Sequence, residues 1–496
     1  MKEFRFIWIV GLLLTLLIVA IPVLLFASSG DEASTDPWAG VQPTPAHTDH
    51  SALMAGPYAD GPAVTAACLE CHEQAASEIM ATTHWTWESE PVLLPGRDEP
   101  VTVGKKNQIN NFCIGIQGNW TGCTQCHAGY GWEDATFDFQ QATHVDCLVC
   151  HADMTLYGKG RAGNPAEGVD LTAAAGSVRR PTRQNCGSCH FDGGGGNAVK
   201  HGDLDESLYY PDETVDVHMG RLGFECVDCH AGDHHQITGH MISVSPQVKD
   251  ELACTNCHSD SAGSSLHADA RLNAHIDDVA CQTCHIPEGA LRHATKMDWD
   301  WSSAGQDLPE DPHVYLKIKG NFVYEHDFKP AYAWWNGDAD RYLLGDPIDP
   351  ATMTSLNTPL GDIKDGTAKI WPFKVHTARQ PFDVVNEYLL VPMTAGEGGF
   401  WTTFDWDSAF RLNEANTGLA YSGEYGFAET EMFWSLTHMV QPKEQALQCY
   451  HCHGENGRMD WAALGYFGDP LTWGGREKQL GATSGPATAN SEPLTR

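Results

Sequence analysis

Positive charge is what this chain has least of. Its 30 Lys and Arg stand against 65 Asp and Glu, a formal net charge of −35 at pH 7. Surfaces that track nucleic acid or anionic lipid need basic patches, so neither is a partner of the body of this protein. A small anion would have to enter through a local basic funnel in the acidic field, for which Lys105-Lys106 and the Arg179, Arg180, Arg183 cluster are the candidates. The chain also lacks any fixed-period repeat, and for long stretches it lacks helical or strand periodicity, with 49 Gly and 27 Pro interrupting it. Spare cysteine is nearly absent too: of 17 cysteines, all but Cys113 fall into one recurring run.

That run is Cys-x-x-Cys-His. It occurs at Cys68/Cys71/His72, Cys123/Cys126/His127, Cys147/Cys150/His151, Cys186/Cys189/His190, Cys226/Cys229/His230, Cys254/Cys257/His258, Cys281/Cys284/His285 and Cys449/Cys452/His453. A single copy is compatible with a zinc half-site or a thiol redox motif. Eight copies, each with His directly after the second Cys, are the pattern by which c-type haem is attached: the thiols add to the vinyl groups and the imidazole takes the iron. Eight covalent haems, numbered here by motif order, share 496 residues, about 62 residues each. That is too little chain for a conventional core around each, so the porphyrins themselves form much of the core. The expected fold is mainly α with much irregular structure, a multihaem cytochrome c built around packed haems, with short helices carrying the motifs.

Residues 6–26 are apolar behind Lys2 and Arg5, long enough to cross a bilayer as a helix and longer than a usual signal-peptide core. Residues 1–27 therefore read as an N-terminal transmembrane anchor, with a cleaved signal segment as the alternative, and place the rest on the periplasmic side of a bacterial inner membrane or free in the periplasm. Residues 28–48 read as a tether, 49–285 as a haem-rich region with haems 1 to 7, 286–473 as an aromatic-rich region ending in haem 8, and 474–496 as a disordered tail. The aromatic-rich region reads either as a second domain or as a segment wrapped over haem faces.

Eight irons have sixteen axial positions. The motifs fill eight, and 25 − 8 = 17 further histidines are available for the rest. Read from the residues alone, "GGGGNAVKHGD" also offers Lys200 on a flexible Gly-rich loop, although such a lysine reads equally as a solvated loop residue. Lysine binds iron only as the neutral amine, whose formation at pH 7 costs roughly 4.6 kcal/mol. It is therefore a more displaceable ligand than histidine, useful where a substrate must reach iron. Cys113 lies ten residues before Cys123, close enough for a short loop to fold it over that haem. It reads either as a buried small hydrophobe or as a nucleophile for sulfur chemistry, with Asn110 and Asn111 beside it as donors to substrate oxygens.

The stretches "GKKNQINNFCIGI", "VDCLVCH", "NCGSCHFDGGGGNAVKHGDLD", "VDVHMG", "VACQTCHIP" and "HMVQPKEQALQCYHCH" resemble the octahaem tetrathionate reductases, relatives in haem arrangement of hydroxylamine oxidoreductase and pentahaem nitrite reductase. The resemblance covers most of the chain. It implies seven haems with two His ligands and a second haem ligated by lysine, here Lys200. It further implies His50, His84, His201, His218, His235, His275 and His438 as distal ligands, with His267 in reserve and His144, His240, His293 and His376 behind it. The implied activity is reduction of tetrathionate, with nitrite or hydroxylamine as further substrates, fed by a quinol dehydrogenase or small cytochrome. The alternatives are an electron conduit without catalysis, which needs neither the stray Cys113 nor a loop lysine, and hydroxylamine oxidation, for which there is no Cys-x-x-Cys-Lys run.

Overall fold

The computed structural model describes residues 12–17, 47–112, 115–245, 252–258 and 266–481. Residues 12–17 are helical, and no helix among the described residues is long and apolar enough to cross a membrane. The rest of the expected anchor, nearly all of the tether, and Cys113 lie outside the described residues. Residues 1–43 and 44–496 form two separate units.

From residue 47 to the seventh motif the chain behaves as its composition requires. Helices are short: α1 (Gly61–Leu69), α2 (Ala75–Met80), α3 (Trp120–Cys123), α4 (Leu148–His151), α5 (Arg183–His190), α6 (Cys226–Cys229) and α7 (Cys281–His285). Most begin, end or lie within a haem motif. One helical turn places the first Cys, the second Cys and the His on one face, so the motif itself favours a turn of helix. Local caps set the ends. Asp60 accepts from Ala63 N at the start of α1, and Thr182 with Asn185 forms a capping box on α5. Apolar packing here is in small separate clusters, such as Val64, Leu148 and Ala174, consistent with haems making up the remaining core.

The aromatic-rich region corrects the mainly α expectation. It is a mixed seven-stranded sheet of β1 (Thr295–Asp300), β2 (Tyr315–Leu316), β3 (Gly320–Glu325), β4 (Ala331–Trp335), β5 (Thr354–Ser355), β6 (Lys369–Asp383) and β7 (Tyr425–Ser435). The order is β2-β3-β1-β6-β7-β5, with β4 also paired to β6. Its tryptophans pack on one another: Trp299, Trp301, Trp406 and Trp434 belong to one large buried cluster beside the helix α8 (Trp406–Thr417). They form an apolar core within this region. The eighth motif lies on α9 (Cys449–Cys452). The expected disordered tail is corrected at its start, because Arg476–Leu480 form a helix. Arg476 is buried there, its guanidinium over Trp334 and donating to Ile363 O. Residues 482–496 of that tail lie outside the described residues.

Candidate haem centres and catalytic site

An imidazole nitrogen sits roughly 2 Å from a first-row transition metal and about 1 Å from its own ring centre, so two rings bound across one ion have centres about 6 Å apart. Seven of the eight motif histidines meet this test. The pairs are His50–His72 at 6.2 Å, His84–His190 at 6.3 Å, His151–His235 at 6.4 Å, His218–His258 at 6.1 Å, His230–His438 at 6.1 Å, His267–His285 at 6.4 Å and His275–His453 at 6.2 Å. Each is a motif histidine opposite a histidine outside the motifs, with room for an iron between. Several hold Nδ1 in a hydrogen bond, which turns Nε2 toward the shared space: His50 with Thr48 O, His151 with Arg179 O, His230 with Thr238 O and His275 with Arg271 O. Carboxylates do the same for His235 (Glu78, 2.7 Å), His438 (Asp203, 3.3 Å) and His453 (Asp469, 2.5 Å). The residues present therefore fit seven haems with two histidine ligands.

Six of the seven distal histidines expected from sequence lie opposite a motif histidine, and the seventh, His201, does not. His201 faces no motif histidine; it is buried against Trp434, ring centres 5.0 Å apart. His267 takes the remaining place, opposite His285. The weaker candidates pair with no motif histidine either: His144 lies 6.0 Å from Phe137, His240 lies 5.8 Å from Trp335, His293 approaches Glu206 at 3.7 Å, and His376 stacks on Phe112.

His127, of haem 2, has no histidine across from it among the described residues. It is fully buried in a box of Trp85, Trp87, Trp132, Phe137 and Phe139, with Nε2 at 2.8 Å from Trp85 O and Nδ1 buried without a hydrogen-bond partner. Burial pushes its imidazole down to about 3, and the charges of Lys159, Lys106 and Lys105 act in the same sense. A neutral imidazole is the form that ligates a metal. Around this motif the acidic protein turns positive: Lys105, Lys200 and Lys159 are all close enough to act on Cys126. Lys105 lies over Trp87 and Lys106 over Phe139. Arg179, Arg180 and Arg183 are paired with Asp153, Asp228 and Glu225, and Lys106 of the other candidate funnel is paired with Glu88 at 2.9 Å.

Lys200 comes from the Gly-rich loop and lies near enough to act on Cys126. Its stem lies in a groove made by glycines: a Cβ on Gly193 would be 3.0 Å from Lys200 Cδ, and one on Gly194 would be 2.9 Å from Lys200 Cγ. Its Nζ lies 5.9 Å from the Trp434 ring centre. Trp434 is also in edge contact with Phe112 at 5.3 Å, and Phe112 stacks on His376 at 3.8 Å. Period-two alternation puts Lys374, His376 and Gln380 of β6 on one face of the strand, toward these loops. His376 is fully buried with neither ring nitrogen hydrogen-bonded, and Trp434 Nε1 and Asn111 Oδ1 are likewise buried without partners. Asn110 has a different part from the one expected: its side-chain oxygen accepts from Phe112 N at 3.0 Å, shaping the loop, while Asn111 is the buried one and donates to His376 O. Trp434 was not singled out as a site residue from sequence, and His376 only as a weaker distal-ligand candidate, because only strand pairing carries them to this loop.

The motif cysteines also show how the centres adjoin. Cys68 contacts Cys147, Cys126 contacts Cys189, Cys186 contacts Cys226 and Cys254 contacts Cys281. Cys150 with Cys186, Cys229 with Cys257 and Cys284 with Cys452 are near enough to interact electrostatically. Every motif thus has another as neighbour, in a run that joins all eight and touches haem 2 through haem 4.

The attachment thiols differ in how far the polypeptide covers them. Cys71 is exposed at the surface of the polypeptide, as are Cys229, Cys254, Cys257 and Cys449. α1 ends at Leu69 and the chain leaves it through a turn in which Cys71 N donates to Cys68 O at 3.2 Å. Cys68 is partly buried and contacts Cys147.

Such a fold and ligand set define a multihaem c-type cytochrome. A bacterial cytochrome c family model matches residues 296–456. The octahaem cytochrome c of Shewanella oneidensis, known from a crystal structure, is 49% identical and superposes with a TM-score of 0.80 over 86% of this chain and 98% of its own. No curated protein matches. The chain belongs to the octahaem c-type cytochromes, binds eight haem c groups covalently, and is a redox protein that moves electrons among them.

Proposed function

We propose that this cytochrome is a periplasm-facing reductase whose catalytic centre is haem 2, with Lys200 as its distal ligand and tetrathionate as its substrate, nitrite and hydroxylamine being reduced at the same place. One observation carries the reading: among the described residues seven motif histidines face a histidine and the eighth, His127, faces none, while Lys200 lies close enough to act on Cys126 of the same motif. Bound there, the haem supplies electrons and a coordination position on iron. The chain supplies the rest. Lys105 and Lys106 draw an anion into a protein of opposite average charge. Lys200 would be the residue holding that haem on the substrate side, a ligand given up at lower cost than a histidine. His376, buried and without a partner for either nitrogen, is held neutral by burial and by Lys374 and Lys296, so in this reading it offers the substrate a hydrogen bond rather than a proton.

Cys113, between Phe112 and the loop to α3, gives the sulfur specificity in this reading. Its thiolate attacks a central sulfur of tetrathionate, breaking the S–S bond and expelling one thiosulfate; two electrons then cleave the Cys113 adduct to thiolate and a second thiosulfate. The electron donor is a quinol dehydrogenase or a small cytochrome. Exchange of Lys200 for His tests the centre. Histidine escapes most of the deprotonation cost of roughly 4.6 kcal/mol, so its hold on the position rises on the order of a thousandfold. Turnover is expected to fall steeply with all eight haems loaded. A Lys200→His protein that reduces its substrates at the original rate removes haem 2 as the catalytic centre.

A further inference from the structure

Two carbonyls of the Lys200 loop turn toward one buried amine. Lys374, on β6 and fully buried, donates from Nζ to Lys200 O at 2.7 Å, Val199 O at 3.1 Å and Thr295 Oγ1 at 2.5 Å. Thr295, also fully buried, lies 2.7 Å from Ala198 O and 2.9 Å from His201 O through the same hydroxyl. Four successive carbonyls, 198 to 201, are thereby gathered around an ammonium and a hydroxyl, as a loop gathers around a bound cation. The turn is tight enough to put Ala198 at φ +62°, a conformation that a residue with a Cβ holds only where its surroundings enforce it. Opposite Lys374 in the β6–β7 register is Trp434, whose ring faces Lys200 Nζ. One cross-strand pair therefore meets Lys200 at both ends, Lys374 at its carbonyl and Trp434 near its amine.

We infer that Lys374 is a positioning residue for the haem-2 ligand: its three hydrogen bonds fix the backbone from which the Lys200 side chain departs across Gly193 and Gly194. The inference rests on the reading of Lys200 as that ligand. An ordinary packing residue at 374 would satisfy shape alone, yet the loop needs three donors at one point, and an ammonium provides three. Without them the carbonyls of Val199 and Lys200 lose their buried partner and the loop turns to find others, moving the amine off the iron.

The test uses the full holoprotein, with Lys374→Met removing the donors at similar length and Lys374→Arg restoring charge and donors. Low-temperature EPR of the oxidised protein reads the ligand set of each centre, and Lys200→Ala marks the signal that belongs to the lysine-bound haem. In Lys374→Met the haem count is expected to stay at eight and the seven bis-histidine signals to stay in place. The lysine-bound signal should shift toward that of Lys200→Ala, and kcat should fall about 100-fold with less change in KM, the scale of a misplacement near 1 Å. Lys374→Arg should recover part of the signal. A Lys374→Met protein with the original haem-2 signal overturns the positioning role while leaving the ligand reading intact. Original protein and Lys200→Ala giving one and the same spectrum overturns the ligand reading and the positioning role with it. Should Lys374→Met fail to load haem, Thr295→Val, which removes the hydroxyl from the same carbonyls at equal size, carries the test: an unchanged haem-2 signal there overturns the role.

Discussion

Alanine at Gly194 separates the groove that holds Lys200 from the loop's general need for glycine. Gly194 has φ +81° and Gly195 has φ +100°, so alanine at either pays for a left-handed backbone, about 1 to 2 kcal/mol. Only at Gly194 does the new methyl meet the ligand lysine: its Cβ would be 2.9 Å from Lys200 Cγ and 3.2 Å from Val199 Cγ1. At Gly195 the nearest atom is Lys319 Nζ at 3.4 Å, the flexible end of a long side chain. Overpacking of the Gly194 kind costs a further ~1 to 3 kcal/mol, relieved by moving the Lys200 stem, because the backbone beneath it is held by Lys374. The two variants should thus share a modest loss of stability and differ at haem 2. Gly194→Ala is expected to alter the lysine-bound EPR signal and lower turnover about 10- to 100-fold. Gly195→Ala is expected to keep both. Identical spectra and rates for the two proteins would refute the groove.

His267→Ala should convert one low-spin bis-histidine haem, haem 7, to a high-spin or water-bound form, whereas His201→Ala should leave seven bis-histidine signals; the reverse outcome would return His201 to the distal set. Asp203 is drawn up by burial but held below its ordinary value by His438 and the Thr437 amide, so it sits as a buried anion beside a haem-5 ligand. Asp203→Asn removes a charge that favours ferric over ferrous iron, and the haem-5 midpoint should rise by on the order of 60 mV, equal to about 1.4 kcal/mol for one electron. An unchanged or lower potential in a spectroelectrochemical titration would show that Asp203 does not tune it. Cys113→Ser should lose most tetrathionate reduction and keep much of the nitrite or hydroxylamine activity in dye-linked assays. Equal losses on all three would make Cys113 a shape-giving residue.

Sequence by itself determined the covalent chemistry. Thioether attachment needs only a Cys-x-x-Cys-His turn, which is local, so eight haems and eight proximal histidines were legible without any fold, and so was the isolation of Lys200 on a glycine loop. How deep each motif lies was not, since Cys71 and Cys126 occupy the same place in identical runs and only the first is exposed. Distal ligands are likewise a matter of tertiary contact. His267 and His201 are both histidines near motifs, and only the folded chain shows that one faces His285 and the other Trp434. The sheet escaped notice because its long strand β6, "KIWPFKVHTARQPFD", carries Pro372 and Pro381, which argue against a central strand when read one residue at a time. Neighbouring strands supply what the prolines withhold: β7 pairs along β6 from Phe373 to Asp383, and β4 and β1 cover parts of its other edge. That pairing alone brings Lys374 beneath Lys200 and His376 against Phe112. Burial and hydrogen-bond convergence are properties of several distant segments at once, so the attachment of the haems belongs to the sequence and the surroundings of each motif belong to the tertiary structure.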